Sequence, residues 1–285
     1  MKPILKWAGG KARLAPAISE AFQTKCEGTY YEPFIGSCAV YLHRKAAGEV
    51  TTAVLADINP KLVHTHCAIR DCLDDVLAEL SKLPREGFEA HYYGVREAFN
   101  VGPYEGPLHA ARFIWLNRSC FNGLYRENKK GFFNVPVGRY TKVSLPPVAA
   151  FRAVSAALQD AEIRVADFRE IVALAGPKDQ VYCDPPYVPL TATANFTGYA
   201  KGAFADAEQR ALAYLARKAA LSGALVVLSN HDTPYVVDDL YTKKAGFKHV
   251  ARPRVARAIS RAATGRVKVG EVIASIGPRS VRSAG

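Results

Sequence analysis

The hydrophobic residues fall in short, partly β-branched runs, several closing on a glycine or an acid. Residues 29–36, TYYEPFIG, read as a strand entering a tight glycine turn, and a helix is expected over 38–47. Residues 50–56 are again apolar and β-branched and stop at Asp57. Strand, loop, helix, strand, acid is the order of a doubly wound α/β unit, whose ligands lie at the carboxyl ends of strands. Gly36 and Asp57 both fall at such ends. Strand-like runs return at 163–168, 180–184 and 224–230. Between the last two, residues 206–221 open on acids and close on bases, the charge order that suits a helix dipole.

The pattern changes over 60–147. Two helical stretches, 64–80 and 112–116, surround a loop-rich segment carrying Gly102, Pro103, Gly106 and Pro107. Residues 117–140 are dense in Asn, Arg, Lys, Gly and aromatics. We read 60–147 as an inserted, mainly helical module, 1–59 with 148–276 as the α/β domain that carries it, and 277–285 as a polar, frayed tail.

Composition narrows the class. The chain has 285 residues, 49% of them hydrophobic, which excludes intrinsic disorder and allows a real core. Its 38 Lys and Arg against 26 Asp and Glu leave a net charge of +12, an excess that favours a polyanionic partner. No run of about 18 apolar residues occurs, so no membrane-spanning helix is expected. Lys6 and Lys11 break the N-terminal apolar run, which does not read as a signal peptide. Six cysteines without a C-x-x-C pair suggest a reducing cytosol and no disulfide framework. His64, His66, Cys67 and Cys72 fit no common zinc-finger spacing, and no metal is expected.

The sharpest chemical signal is Asp184-Pro185-Pro186-Tyr187, directly after an apolar strand. Two prolines remove two backbone donors and stiffen the turn. Carbonyl acceptors then project beside one carboxylate and one aromatic ring. Such a corner suits an amino group on a ring: Asp184 accepts one N–H, a backbone carbonyl of the Pro-Pro turn accepts the other, and Tyr187 stacks on the ring. An exocyclic amine on a nucleobase is a poor nucleophile, because its lone pair is delocalised. Two acceptors on its hydrogens favour a more tetrahedral nitrogen and stabilise the positive charge that develops there.

That tetrapeptide resembles the catalytic motif of amino-group DNA methyltransferases. The motif order resembles the alpha group, specifically the Dam family of DNA adenine-N6 methyltransferases. The match lies in residues 5–11 (LKWAGGK), 32–37 (EPFIGS), 56–59 (ADIN), 117–138 (NRSCFNGLYRENKKGFFNVPVG), 181–197 (VYCDPPYVPLTATANFT) and 229–232 (SNHD). The resemblance implies an S-adenosylmethionine-dependent methyltransferase fold, Rossmann-like with a mixed seven-stranded sheet, and a DNA-recognition module in the insertion. It implies S-adenosylmethionine as methyl donor, with no metal. Lys11 would neutralise the methionyl carboxylate, Trp7 cover the cofactor, and Gly36 let the chain pass close to it. Asp57 would accept the ribose hydroxyls, Asp167 and Phe168 would contact the cofactor's adenine, and Asp184 would border both ligands. One position departs from the family pattern. Cys38 stands where a second loop glycine is usual, and cysteine disfavours positive φ.

The resemblance also assigns DNA contacts. Arg126 matches a guanine reader, and Leu124 and Pro136 match contacts to a thymine methyl. Phe121 and Asn122 match residues that fill the gap left by an extruded base. Lys6 is placed at the first base pair, and Arg139, with Arg118, Lys129 and Lys130, adds positive charge. The site implied is GATC in double-stranded DNA. A later basic run, Lys248, Arg252, Arg254, Arg257, Arg261, Arg266 and Lys268, suits phosphates better than bases. The expected reaction is direct: adenine is extruded, Tyr187 stacks on it, and N6 attacks the donor methyl in line. A monomer in the bacterial or phage-type cytoplasm, at the nucleoid, is the expected setting. An amino-methyltransferase acting on cytosine N4, RNA or protein, and a non-catalytic DNA-binding relative, remain the alternatives.

Overall fold

A computed structural model describes residues 1–187, 204–256 and 268–278. In chain order the helices are α1 (Ala15–Ala21), α2 (Ala39–Ala46), α3 (Pro60–Asp71), α4 (Leu73–Ser81), α5 (Glu89–Val101), α6 (Gly106–Ser119), α7 (Val148–Leu158), α8 (Phe168–Val172) and α9 (Asp206–Leu221). The strands are β1 (Thr29–Glu32), β2 (Thr52–Asp57), β3 (Ala161–Val165), β4 (Gln180–Cys183), β5 (Leu225–His231), β6 (Lys248–Ala251), β7 (Arg254–Ala256) and β8 (Lys268–Ile276). They fall into two compact units. One is Met1–Arg13, Gly36–Ala46 and Asn59–Val165; the other is Leu14–Ile35, Ala47–Ile58 and the described residues from Ala166 onward.

The second unit contains seven strands of a mixed sheet. Their path is β2-β1-β4-β5-β8-β6, and β7 pairs with β8 beside it. β1 runs parallel to β2 and β4, and β4 parallel to β5, whereas β8 is antiparallel to β5, β6 and β7. β4 buries all four of its residues and β5 buries Val226 to Asn230, as expected of strands covered on both faces. α9 opens with Asp206 and Glu208 and ends with Lys218, and it buries Leu212, Ala213, Ala216, Ala219 and Ala220. That alanine-rich face joins Val181, Cys183, Val226, Leu228 and Val272 in one core. Strand order reverses between β1 and β4, so the carboxyl ends of those strands flank a topological switch point, where ligands of open α/β sheets bind.

The first unit is mainly helical. The pattern over 64–80 predicts one helix, but two form, because Cys72 (φ −143°, ψ 48°) leaves helical space between α3 and α4. Asn59 caps α3 by accepting from the Leu62 amide at 3.3 Å. The helix expected at 112–116 is the longer α6, with Pro107 in its first turn, where a missing N–H costs nothing. α6 buries Phe113, Ile114 and Trp115, and the Trp115 indole donates to the Pro84 carbonyl at 2.8 Å. α5 replaces part of the expected loop and buries only Tyr92 and Phe99. Among the described residues no helix is long and apolar enough to cross a membrane.

Two further expectations are corrected locally. The run at 163–168 stops being strand at Val165; Asp167 caps α8 and Phe168 begins it. Within the late basic run, Lys248, Arg254 and Lys268 lie on antiparallel strands of the sheet. Arg257, Arg261, Arg266 and the tail from 279 lie outside the described residues.

Candidate active site

The Asp184 turn leaves the carboxyl end of β4 in the second unit. Register places Cys183 opposite Leu228 on β5, so Asp184 emerges beside Ser229. The Ser229 hydroxyl donates to Asp184 Oδ1 at 2.9 Å and shares a 2.8 Å hydrogen bond with the buried Tyr182 hydroxyl. Asp184 is half-buried and Pro185 buried. The carboxylate is thus oriented by a neighbour yet still reachable.

Tyr187 is fixed at both ends of its ring. Its hydroxyl donates to Glu271 Oε2 at 2.9 Å, and its edge meets His231 with ring centroids 4.7 Å apart at 75°. Glu271 pairs with His231 across β5 and β8, so one ladder supplies both contacts. Desolvation, with the carboxylate of Asp184 beside it, holds the Tyr187 phenol well above its ordinary range, so it stays neutral and a donor. On the same turn, Gln209 of α9 donates to the Pro186 carbonyl at 2.7 Å.

Three other expected cofactor residues lie in this unit. Asp57 ends β2, and its carbonyl accepts from the Ala166 amide at 3.2 Å. Asp167 caps α8 by accepting from the Arg169 amide at 2.8 Å and pairs with the Arg169 guanidinium. Phe168, 4% exposed, stacks on Phe34 with centroids 5.6 Å apart.

The first unit holds Trp7, Lys11 and Gly36. Gly36 has φ +44°, and a Cβ there would stand 2.7 Å from Trp7 Cδ1, so only glycine fits. Lys11 is 5% exposed, and its ammonium donates to the Gly9 carbonyl. Cys38 adopts φ +64° although it is not glycine, a left-handed conformation that costs a β-carbon about 1–2 kcal/mol. His66 Nε2 lies 3.0 Å from the Gly36 carbonyl. A carbonyl only accepts, so Nε2 carries the proton, and burial pushes this imidazole below its ordinary range. Nearby, His64 meets the Tyr104 carbonyl, Cys67 that of Ile163 and Cys72 that of Ala68.

The 117–140 stretch forms an irregular hairpin with bridges between Cys120 and Val137 and between Glu127 and Phe133. Asn117 locks Lys6 to it, accepting from the Lys6 amide at 2.8 Å and donating to the Lys6 carbonyl at 2.7 Å. The Lys6 ammonium sits 4.9 Å from the centre of the Tyr140 ring. Burial, then Arg118, pushes this amine below its ordinary range. Arg118 itself donates to the Ile4 carbonyl, so part of its expected charge serves the fold. Phe121 and Asn122 lie exposed on a 3-10 turn, with Asn122 at φ +55°. Leu124 is half-buried, while Arg126, Pro136 and Arg139 are exposed. Tyr125 anchors the hairpin, stacked between Trp7 (5.5 Å) and Phe113 (5.4 Å). Asn134 accepts from Arg126 Nε at 2.7 Å and so aims the guanidinium across the hairpin.

Ser229 lies within the SNHD motif and Asn134 within the 117–138 stretch, but Glu271 and Gln209 carry no local signature. Glu271 stands 84 residues from Tyr187 along the chain, and only antiparallel register joins them.

The family model described as D12 class N6 adenine-specific DNA methyltransferase matches residues 7–255. A DNA adenine methylase of Haemophilus influenzae is 38% identical over 284 residues, covering 98% of this chain and 94% of the relative. The DNA adenine methylase of Escherichia coli is 34% identical, covering 99% and 98%. The Type II methyltransferase M.MjaIII of Methanocaldococcus jannaschii is 37% identical over 243 residues, covering 81% and 84%.

Proposed function

Because the chain belongs to the D12 class of N6 adenine-specific DNA methyltransferases, we propose that its methyl donor is S-adenosylmethionine, that the adenine leaves the duplex to react, and that GATC is the site read. The observation that carries this reading is the Asp184 turn at the switch point, its carboxylate held by Ser229 and its aromatic ring by Glu271 and His231.

The chain's own residues suit the donor. Lys11 would take its carboxylate, Asp57 its ribose hydroxyls, and Asp167 with Phe168 its adenine. Gly36, where a Cβ would strike Trp7, gives the loop the close backbone approach such a ligand needs. When bound, S-adenosylmethionine supplies an electrophilic methyl group on a sulfonium.

On the DNA side, extrusion costs about a few kcal/mol of pairing and stacking. Phe121 and Asn122 fill the vacated space, and Tyr187 stacks on the base. Asp184 and the Pro185 carbonyl accept the two amine hydrogens, turning the nitrogen lone pair outward and stabilising its growing charge. Arg126, aimed by Asn134, presents its fork to guanine O6 and N7, a contact that discriminates by about 1–3 kcal/mol. Leu124 and Pro136 meet the thymine methyl, and Lys6 and Arg139 hold the flanking duplex.

The test is protection of plasmid DNA. After incubation with protein and S-adenosylmethionine, GATC sites should resist a nuclease blocked by adenine methylation. Methyl incorporation with full cleavage retained at GATC would overturn the site; no incorporation would overturn the donor.

A further inference from the structure

A turn containing two consecutive prolines has two fewer backbone N–H groups to fasten it, so side chains carry more of that task. Around Asp184-Pro185-Pro186-Tyr187 they do. Ser229 donates to Asp184, Tyr187 donates to Glu271, and Gln209 Nε2 donates to the Pro186 carbonyl at 2.7 Å. Among the described residues no donor takes the Pro185 carbonyl.

Gln209 is itself held. It is 2% exposed, and its Oε1 accepts from Asn230 Nδ2 at 3.1 Å. Asn230 is fully buried and also reaches the Tyr241 hydroxyl at 3.4 Å. The amide therefore cannot turn over without breaking both contacts. Two carbonyls leave the turn, and the reacting amine needs one of them.

We propose that Gln209 is a positioning residue: it occupies the Pro186 carbonyl and fixes the turn so that the Pro185 carbonyl stands beside the Asp184 carboxylate as the second acceptor for the amine. This rests on the reading of Asp184 and Pro185 given above. Gln209 touches no reacting atom; it acts through the geometry of the turn. Losing the donor frees the turn to rotate and misplaces the acceptor, an error to which in-line transfer is sensitive.

The experiment compares the full chain with Gln209→Met, which keeps length and packing without a donor, and Gln209→Glu, which presents only acceptors when ionised. Steady-state and single-turnover transfer to a GATC duplex are followed by the N6-methyladenine formed, with thermal melting alongside. Both variants should lose about 10- to 100-fold in kcat and in the single-turnover rate. KM for S-adenosylmethionine and for DNA should stay within about twofold, since the binding contacts are elsewhere, and the assays are run well below the melting temperature of each variant, which falls because buried polar partners of Gln209 are lost. Wild-type kcat in either variant, or a loss that appears only in KM or only through a reduced folded fraction at the assay temperature, assigns Gln209 to the fold alone and overturns the proposal. An unmodified protein that forms no N6-methyladenine instead removes the reading on which it rests.

Discussion

The Asp184 turn and the 117–140 hairpin differ in what is added to their hydrogen bonds. The turn is held by polar groups, several of them buried: Ser229 on its carboxylate, Gln209 on a carbonyl and Glu271 on the phenol. The hairpin adds a stack of rings, Tyr125 between Trp7 and Phe113, to hydrogen bonds from Tyr92, Asn100 and Lys61, while Arg126, Pro136 and Arg139 face solvent. Polar fastening sets angles as well as distances, which an amine's two hydrogens demand. Apolar stacking fixes a platform and leaves charged groups hydrated until DNA displaces the water. Reaction geometry and recognition thus draw on different physical terms, and substitutions should separate them.

Asp184 apart, the largest separation is expected at Tyr187. Tyr187→Ala removes the ring proposed to stack on the base and should cut kcat about 100-fold, while duplex binding, assigned by the proposal to the hairpin, should change little; stacking is worth about 1–3 kcal/mol per base. Competition binding beside single-turnover rates checks this, and equal losses in both would erase the distinction. Arg126→Ala should do the reverse. Discrimination at one guanine should fall about 10- to 100-fold, with transfer to the remaining sites intact, measured by rates on duplexes altered at that base.

Much of this architecture was legible in the chain. Apolar runs announce β4 and β5, and the acid-to-base order announces α9 at its observed bounds. What stayed hidden is long-range or sparse. α5 buries too few residues to show a period, and the break at Cys72 lies within a continuous pattern. Gln209 and Glu271 acquire their roles only when helix and sheet assemble. Asn134 could be named only once the hairpin register set it across from Arg126.

A smaller effect concerns acid stability of the first unit. Burial depresses His66 and His109, so the unfolded chain takes up protons first as pH falls below about 6.5. Their contribution is complete above that value and is lost toward lower pH. Melting temperature should therefore drop from pH 8 to pH 5, and less steeply in His66→Gln; parallel slopes would show that His66 takes no part.

The smallest effect is expected at Cys38. Cys38→Gly relieves a left-handed β-carbon, worth about 1–2 kcal/mol, but loosens the unfolded chain by about 0.5–1 kcal/mol. Donor affinity, read by isothermal titration, should tighten by no more than about threefold. Weaker binding would mean that the sulfur packs usefully beside the glycine loop.

The central claim is that the Asp184 carboxylate grips the adenine amine, and Asp184→Ala tests it most directly. With S-adenosylmethionine and DNA binding measured on the same preparation, single-turnover formation of N6-methyladenine should fall by at least about a thousandfold, while both affinities and the melting temperature stay near those of the unmodified protein. Methyl transfer at an undiminished rate in that variant would contradict the account.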